Sequence, residues 1–238
     1  MSQPVIIYVE TATNICSVAL CKGEDLISIR ESDEDRSHGS LLTVFMDDVL
    51  KESGLVPGDI EAISVSKGPG SYTGLRIGVS VTKGFAYAMN IPVIGIITLQ
   101  ALAVAARSNG SFRQLQKKYP DILLCPLIDA RRMEVYSAVY DSGFKEIKPV
   151  SATIIDEHSF GDLLATKQVA FFGNGSDKVH GIISHPNAHI IKDINPSALH
   201  MMPLTLPAFE KKEFENSAYF EPFYLKDFIA TTPKNKLL

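Results

Sequence analysis

The chain has 238 residues, of which 45% are hydrophobic and 21% charged, and its formal net charge is −4. These values predict a folded protein of one large or two small domains, and they exclude a disordered chain and a strongly basic nucleic-acid-binding domain. The apolar runs are too short for a signal peptide or a membrane span, so we expect a cytoplasmic protein without membrane contact. Three cysteines without a C-x-x-C spacing fit the same reducing compartment.

The first hundred residues predict elements in the order β-β-β-α-β-α-β-α. The first strand is a continuous apolar run, which is typical of a strand buried on both faces. Three strands that can pair antiparallel, followed by alternating helices and strands, indicate a ribonuclease H-like α/β unit. The predicted strands are residues 5–9, 16–22, 25–32, 62–66 and 92–97. The first predicted helix covers about residues 40–52, the second follows the 62–66 strand and ends near residue 89, and the third begins near residue 98.

The second half of the chain carries a weaker pattern. Residues 107–119 are polar and basic, and we place the domain boundary there, between a lobe at 1–108 and a second, degenerate α/β lobe at 109–238. A hairpin is predicted around Asp129-Ala-Arg-Arg132, followed by a strand at 169–172 and a Gly-x-Gly loop. The proline-rich tail predicts short helices that can pack back on the first lobe.

The most informative stretch is the glycine loop, Gly68-Pro-Gly-Ser-Tyr-Thr-Gly-Leu-Arg-Ile-Gly78, between a buried strand and a helix. A strand, a tight turn and a helix N-terminus can present backbone N–H groups to an anion. The loop matches neither G-x-x-x-x-G-K-[ST] nor G-x-G-x-x-G. Two interpretations therefore stand, an inherited phosphate site and a turn with an architectural role. Phosphate binding would involve Glu10, Gly68, Gly70, Ser71, Thr73 and Gly74.

Two helices of the first lobe carry more apolar side chains than a surface helix needs. The helix after the glycine loop has two apolar stripes and one narrow polar stripe, although a single apolar face is enough to pack on a sheet. Either both helices are buried within the chain, or their outer faces form a partner interface, since monomers avoid exposed apolar clusters. The predicted interface residues are Leu42, Phe45, Met46, Val49, Leu75, Val79, Thr82 and Ala86, and the second stripe of the later helix is Ile77, Val81, Phe85 and Ala88.

Catalytic motifs are missing from the sequence. It contains no G-x-S-x-G and no H-E-x-x-H, and His185 and His189 flank a Pro-Asn turn rather than sharing a helix face. Asp129, Arg131 and Arg132 either hold a substrate or form a charged hairpin turn. We therefore predict no catalytic residue and no metal site in this chain.

Four segments together give the chain a family resemblance. The glycine loop is followed by Asp129-Ala-Arg-Arg-Met-Glu-Val-Tyr136, Gly173-Asn-Gly175 and Pro222-Phe-Tyr-Leu225, and this series resembles the TsaB (YeaZ) family. The resemblance implies an ASKHA fold, the architecture of actin, Hsp70 and sugar kinases, with two ribonuclease H-like lobes. It also implies a part in making N6-threonylcarbamoyladenosine next to the tRNA anticodon, as a non-catalytic scaffold partner of TsaD.

The resemblance further implies partners and a lost metal site. TsaD carries an H-x-x-x-H after a similar loop, and Thr98 and Leu102 stand at the matching positions of this chain. The expected partners are TsaD in a heterodimer, TsaE in a larger complex and a second copy when TsaD is absent, with tRNA held mainly by the partner. No cofactor is required, and ATP or ADP is expected only at the complex interface.

One position departs from the family pattern. The first strand usually ends in an aspartate, and this chain has Glu10, whose longer side chain weakens the case for an inherited nucleotide site.

The alternative functions are a stand-alone ASKHA-type ATPase or kinase, built on Glu10 and the glycine loop, and a glycoprotease-like peptidase.

Overall fold

The computed structural model describes residues 3–34 and 38–226, which form two five-stranded mixed sheets with helices packed on them. The strands are β1 (Val5–Glu10), β2 (Cys16–Lys22), β3 (Asp25–Ser32), β4 (Ala62–Gly68), β5 (Val93–Ile97), β6 (Leu123–Asp129), β7 (Glu134–Tyr140), β8 (Glu146–Ile154), β9 (Val169–Phe172) and β10 (Ala188–Ile190). The helices are α1 (His38–Ser53), α2 (Tyr72–Met89), α3 (Thr98–Ala106), α4 (Gly110–Lys118), α5 (Gly161–Leu164) and α6 (Met202–Glu210). Among these described helices, none is long and apolar enough to cross a membrane.

The first sheet has the strand order β3-β2-β1-β4-β5. β1, β2 and β3 pair antiparallel, whereas β1, β4 and β5 pair parallel. The central strand β1 is buried on both faces, as predicted: Ile7 and Val9 face the core under α1 and α2, and Ile6 and Tyr8 face the core under α6. This double burial explains why β1 is a continuous apolar run instead of an alternating one.

The second sheet repeats the same plan with β6 at its centre. Its order is β10-β9-β6-β7-β8, with β6, β7 and β8 antiparallel and β6, β9 and β10 parallel. The two strand orders become identical when β6 replaces β1, so each sheet has the ribonuclease H-like topology that the sequence predicts for its lobe. The sequence did not predict β8 and α4, which are mostly exposed.

α3 and the C-terminal part of the chain connect the two sheets. Leu99 and Leu102 of α3 belong to the core of the second sheet, while Ala101 packs into a core of the first sheet. Ala198 and Met201, just before α6, also pack on the first sheet. The boundary between 1–108 and 109–238 therefore stays a prediction, because α3 contributes apolar side chains to both cores.

Candidate functional site at the glycine loop and helices α1 and α2

The glycine loop links β4 to α2 through a tight turn. Gly68 has a φ of +111°, which an L side chain rarely adopts, and its N–H donates to Thr98 Oγ1 at 3.1 Å. Ser71 caps α2, since its Oγ accepts from the Gly74 N–H at 3.3 Å. The loop thus starts the helix with side-chain and backbone partners from within the chain.

The same loop packs tightly against the residues that follow β1. The Ser71 N–H donates to the Ala12 carbonyl at 2.6 Å. A Cβ at Gly70 would overlap the Ala12 carbonyl oxygen, and a Cβ at Gly74 would overlap the Thr11 carbonyl oxygen. These glycines allow two backbones to touch, so the contacts favour the architectural interpretation of the loop. Phosphate binding at the positions predicted for it, including Thr73 on the exposed surface, stays a prediction.

Glu10 lies at the end of β1 and is fully buried. Its Oε1 accepts from the Ala12 N–H at 2.6 Å and from Ser66 Oγ at 2.9 Å, whereas its Oε2 has no hydrogen-bond partner among the described residues. Burial raises the pKa of this carboxyl to about 7. Its polar contacts hold the turn after β1, and the side chain is closed off from solvent.

Thr98 and Leu102, which stand where the resemblance places the histidines of TsaD, are both fully buried. Thr98 accepts the glycine-loop hydrogen bond, and Leu102 packs in the core of the second sheet. Within residues 3–34 and 38–226, no group of three or more His, Cys, Asp or Glu side chains is arranged to hold a metal ion. In the sequence pair His185 and His189, the Nε2 of His189 lies 2.6 Å from Gln168 Oε1, in a hydrogen bond.

The burial of α1 and α2 corrects the predicted choice of interface residues. Seven of the eight are buried within the chain, because they form the inner stripes that pack on the first sheet, and only Phe45 is partly exposed. A side chain that already fills the core cannot also contact a partner in this conformation. The buried seven are Leu42, Met46, Val49, Leu75, Val79, Thr82 and Ala86.

A different set of apolar side chains reaches the surface of these helices. We call it the α1–α2 face; Val44 is 48% exposed and the other members are half-buried. Gly84 and Ala88 of α2 are exposed beside it. The face consists of Leu41, Val44, Phe45, Ile77, Val81 and Phe85.

Residues 214–226, which we call the C-terminal strap, cross the first lobe beside the glycine loop. The Glu215 backbone pairs with Val93, and its carboxylate accepts from Lys67 Nζ at 2.9 Å. Phe220 is buried under α2, where Lys83 Nζ donates to the Phe220 carbonyl at 3.0 Å. The sequence predicts a tail that packs back on the first lobe, but it predicts short helices rather than this extended strap, which contains the Pro222-Phe-Tyr-Leu225 motif.

The strap continues to the second lobe. The Phe223 N–H donates to the Lys67 carbonyl at 2.6 Å, so the strap passes directly over the end of β4. A Cβ at Gly68 would lie 2.8 Å from the Phe223 carbonyl oxygen, which gives Gly68 a second reason to be glycine. Lys226 then forms an ion pair with Glu134 at the start of β7. The strap therefore ties the glycine loop to the β6–β7 hairpin.

The β6–β7 hairpin is held by its own polar contacts. Lys178 Nζ donates to Asp129 Oδ1 at 2.7 Å and to the Glu134 carbonyl at 2.8 Å. At the tip of the hairpin, Arg131 and Arg132 are exposed and have φ values of 70° and 50°. Asp129 is thus part of a charged turn, and the two arginines are presented to solvent.

Comparison with known proteins places the chain beside a group of tRNA-modification proteins. The family model described as TsaD, tRNA N6-adenosine threonylcarbamoyltransferase, matches residues 32–232. The tRNA threonylcarbamoyladenosine biosynthesis protein TsaB of Escherichia coli is 30% identical over 94% of this chain and 96% of that protein. The TsaB protein of Haemophilus influenzae is 26% identical over 95% of each chain.

Solved structures agree on the fold. YeaZ from Pseudomonas aeruginosa superposes with a TM-score of 0.73 at 25% identity, covering 93% of this chain and 100% of that chain. An uncharacterized protein with similarity to peptidase YeaZ from Pseudomonas aeruginosa gives a TM-score of 0.76 at 24% identity, covering 94% and 100%. The expected α/β, two-lobed ASKHA architecture is confirmed by this likeness and by the matched strand orders of the two sheets.

Proposed function

This chain belongs to the TsaB (YeaZ) family, which the family model for TsaD also matches. We propose that it is a non-catalytic scaffold subunit that binds and stabilises TsaD. The relatives are named for tRNA threonylcarbamoyladenosine biosynthesis, and this supports a role in the same pathway. Within that pathway, TsaD transfers the threonylcarbamoyl group to the tRNA adenosine, and this chain supplies a docking surface.

The α1–α2 face is the observation that carries this proposal. Three apolar side chains from each helix reach the surface, and Val44 is 48% exposed. Full burial of one such side chain stabilises by about 1.5–3 kcal/mol, so leaving several of them half-exposed forgoes several kcal/mol. Because soluble proteins seldom leave apolar side chains clustered at the surface, these residues support a partner site on the α1–α2 face.

Gly84 supports the same docking surface. It lies on the exposed side of α2, and a Cβ there would meet no described atom within 4 Å. Glycine inside a helix costs about 1 kcal/mol relative to alanine, and no backbone or packing requirement within the described chain offsets that cost. A helix of a partner can approach α2 closely at this point, which gives the glycine a function.

Two features support the proposal that this chain is non-catalytic. Glu10, the first-strand carboxylate on which an ATPase or kinase would depend, is fully buried and accepts from the Ala12 N–H and from Ser66. Thr98 and Leu102, at the positions where the resemblance places the metal-binding histidines, are also fully buried. We propose that ATP or ADP binds only at the interface of the complex, that TsaE joins that complex, and that a second copy takes the α1–α2 face when TsaD is absent.

Co-purification with the organism's own TsaD tests the proposal. Phe85→Asp places a charge in the α1–α2 face and should abolish co-purification, whereas Tyr87→Asp, on the same helix but 87% exposed and outside the face, should leave it intact. Both variants should keep the wild-type circular dichroism spectrum. Retention of TsaD by a folded Phe85→Asp variant contradicts the assignment of the face. ATP turnover or peptide cleavage by the purified chain alone favours the alternative functions.

A further inference from the structure

Tyrosine and cationic side chains lie together along the C-terminal strap. We name it the strap surface, and we infer that it binds single-stranded RNA by stacking unpaired bases on tyrosine and pairing phosphates with the cations. The inference rests on the proposed function for its choice of RNA, because the family acts on tRNA. The strap surface consists of Tyr72, Arg76, Arg131, Arg132, Tyr224 and Lys226.

The half of this surface on α2 is a stacked cluster beside a cavity. The rings of Tyr72 and Tyr224 lie 4.9 Å apart between centroids, and the Arg76 guanidinium lies 5.3 Å from the centre of the Tyr72 ring. The cavity has a volume of about 350 Å³ and is lined by all three side chains. Tyr224 is 37% exposed at its wall. Aromatic rings and guanidinium planes at the rim of a groove are the groups on which unpaired bases stack.

The other half lies on the β6–β7 hairpin. Lys226 pairs with Glu134 and has its Nζ 5.7 Å from the centre of the Tyr136 ring, so the strap brings a cation to the base of the hairpin. At the tip of the hairpin, Arg131 and Arg132 present exposed side chains from left-handed backbone. That conformation is unfavourable for L side chains, and glycine would adopt it without strain. The chain keeps arginine at both positions despite this cost.

The charge of the strap surface differs from that of the whole chain. The chain has a formal net charge of −4, yet this surface carries four cationic side chains. Three described carboxylates lie beside it. Asp129 pairs with Lys178, Glu134 pairs with Lys226, and Glu221 lies on the cavity wall. A local cationic excess with interleaved aromatic rings matches a single-stranded nucleic acid, whose phosphates repeat along one side of its bases.

The position of the strap surface leaves the α1–α2 face free. Tyr72 and Arg76 lie on the side of α2 that carries the strap, whereas Ile77, Val81 and Phe85 lie on the side that meets α1. A partner on the α1–α2 face and RNA on the strap surface therefore occupy different sides of the helix. This arrangement lets the chain hold an unpaired RNA loop next to a bound TsaD.

Fluorescence anisotropy with the full chain and two labelled RNA probes tests the inference. The probes are a short hairpin with an unpaired loop and a blunt duplex of equal length, and the hairpin should bind at least about fivefold more tightly. Tyr224→Ala and Arg76→Ala should each weaken hairpin binding about fivefold or more. Arg113→Ala, which removes an exposed arginine on α4, should not change it.

A second variant separates binding from folding. Arg131→Gly combined with Arg132→Gly relieves the left-handed strain, so the variant should melt at or above the wild-type temperature. Affinity for the RNA hairpin should nevertheless fall about fivefold. The negative slope of log affinity against log salt concentration should become less steep by about 1.4, because two contacts to single-stranded RNA are lost. Lys117→Ala with Lys118→Ala removes an equal charge from α4 and is the matched control.

Several results would overturn the inference. The RNA hairpin does not bind, or it binds no more tightly than the duplex. The Lys117→Ala, Lys118→Ala control loses as much hairpin affinity as the arginine variant. Polyglutamate of equal charge displaces the RNA, which indicates an acidic protein as the partner. Hairpin binding by a chain that fails to bind TsaD contradicts only the proposed function. TsaD binding without hairpin binding contradicts only this inference.

Discussion

Replacing Glu10 by glutamine should remove a pH dependence from the stability of the protein. The carboxyl is buried with one unpartnered oxygen among the described atoms, and burial raises its pKa from the ordinary 4.5 to about 7. Between these two pH values the folded chain keeps a proton that the unfolded chain releases. The contribution of Glu10 to stability is therefore full below pH 4.5 and is lost as the pH rises through 7.

The magnitude follows from the size of the pKa difference. One unit corresponds to 1.36 kcal/mol, so the raised pKa of Glu10 makes ionisation cost about 3 kcal/mol of folding free energy above pH 7. Glutamine keeps an oxygen that can accept from the Ala12 N–H and from Ser66. Its NH₂ group takes the place of the unpartnered oxygen at a cost that does not change with pH.

Urea denaturation at a series of pH values measures this effect. The free energy of unfolding of Glu10→Gln, relative to wild type, should rise by about 3 kcal/mol from pH 4.5 to pH 8. Glu24→Gln, in the exposed turn between β2 and β3, is the control and should run parallel to wild type. Parallel curves for Glu10→Gln and wild type would refute the view that Glu10 is a closed-off carboxyl held by the turn after β1.

Three further substitutions test the packing of α2 and the strap. Gly84→Ala points into open space among the described atoms and should raise the free energy of unfolding by up to about 1 kcal/mol. The added methyl group of Gly78→Ala would overlap the Thr11 hydroxyl, so this substitution should lower the free energy of unfolding by about 1–3 kcal/mol. Equal effects at the two glycines would contradict the placement of α2. Phe220→Ala should cost about 3–5 kcal/mol in the same urea experiment, and unchanged stability would show that the strap is not anchored by this ring.

The first lobe could be predicted from the sequence because its elements are marked locally. β1 is an apolar run between polar residues, and the hairpin of Cys16–Lys22 and Asp25–Ser32 is bounded by a Gly-containing turn, so the predicted and observed bounds of both strands agree. β8 and α4 were missed because both lie at the surface, β8 as an exposed edge strand of mixed composition and α4 as a short polar helix. An edge strand and a short exposed helix lack the strong apolar pattern on which prediction depends.

The direction in which α2 faces could not be predicted in the same way. Periodicity defines two apolar stripes on this helix, but only tertiary contacts decide which stripe packs on the sheet. Val79 is buried and Phe85 half-exposed, although both belong to apolar stripes of similar strength. The extended course of the strap could not be predicted for a related reason, since the pairing of Lys67 with Glu215 joins residues that are remote in the sequence.

Calorimetric titration of this chain with TsaD tests the central claim most directly. If TsaD docks on the α1–α2 face, binding should show a negative heat-capacity change from apolar burial, and Phe85→Asp should weaken it at least about tenfold. Tyr87→Asp should bind like wild type. Wild-type affinity in a folded Phe85→Asp variant, or loss of binding only in Tyr87→Asp, would contradict the claim that this face holds the partner.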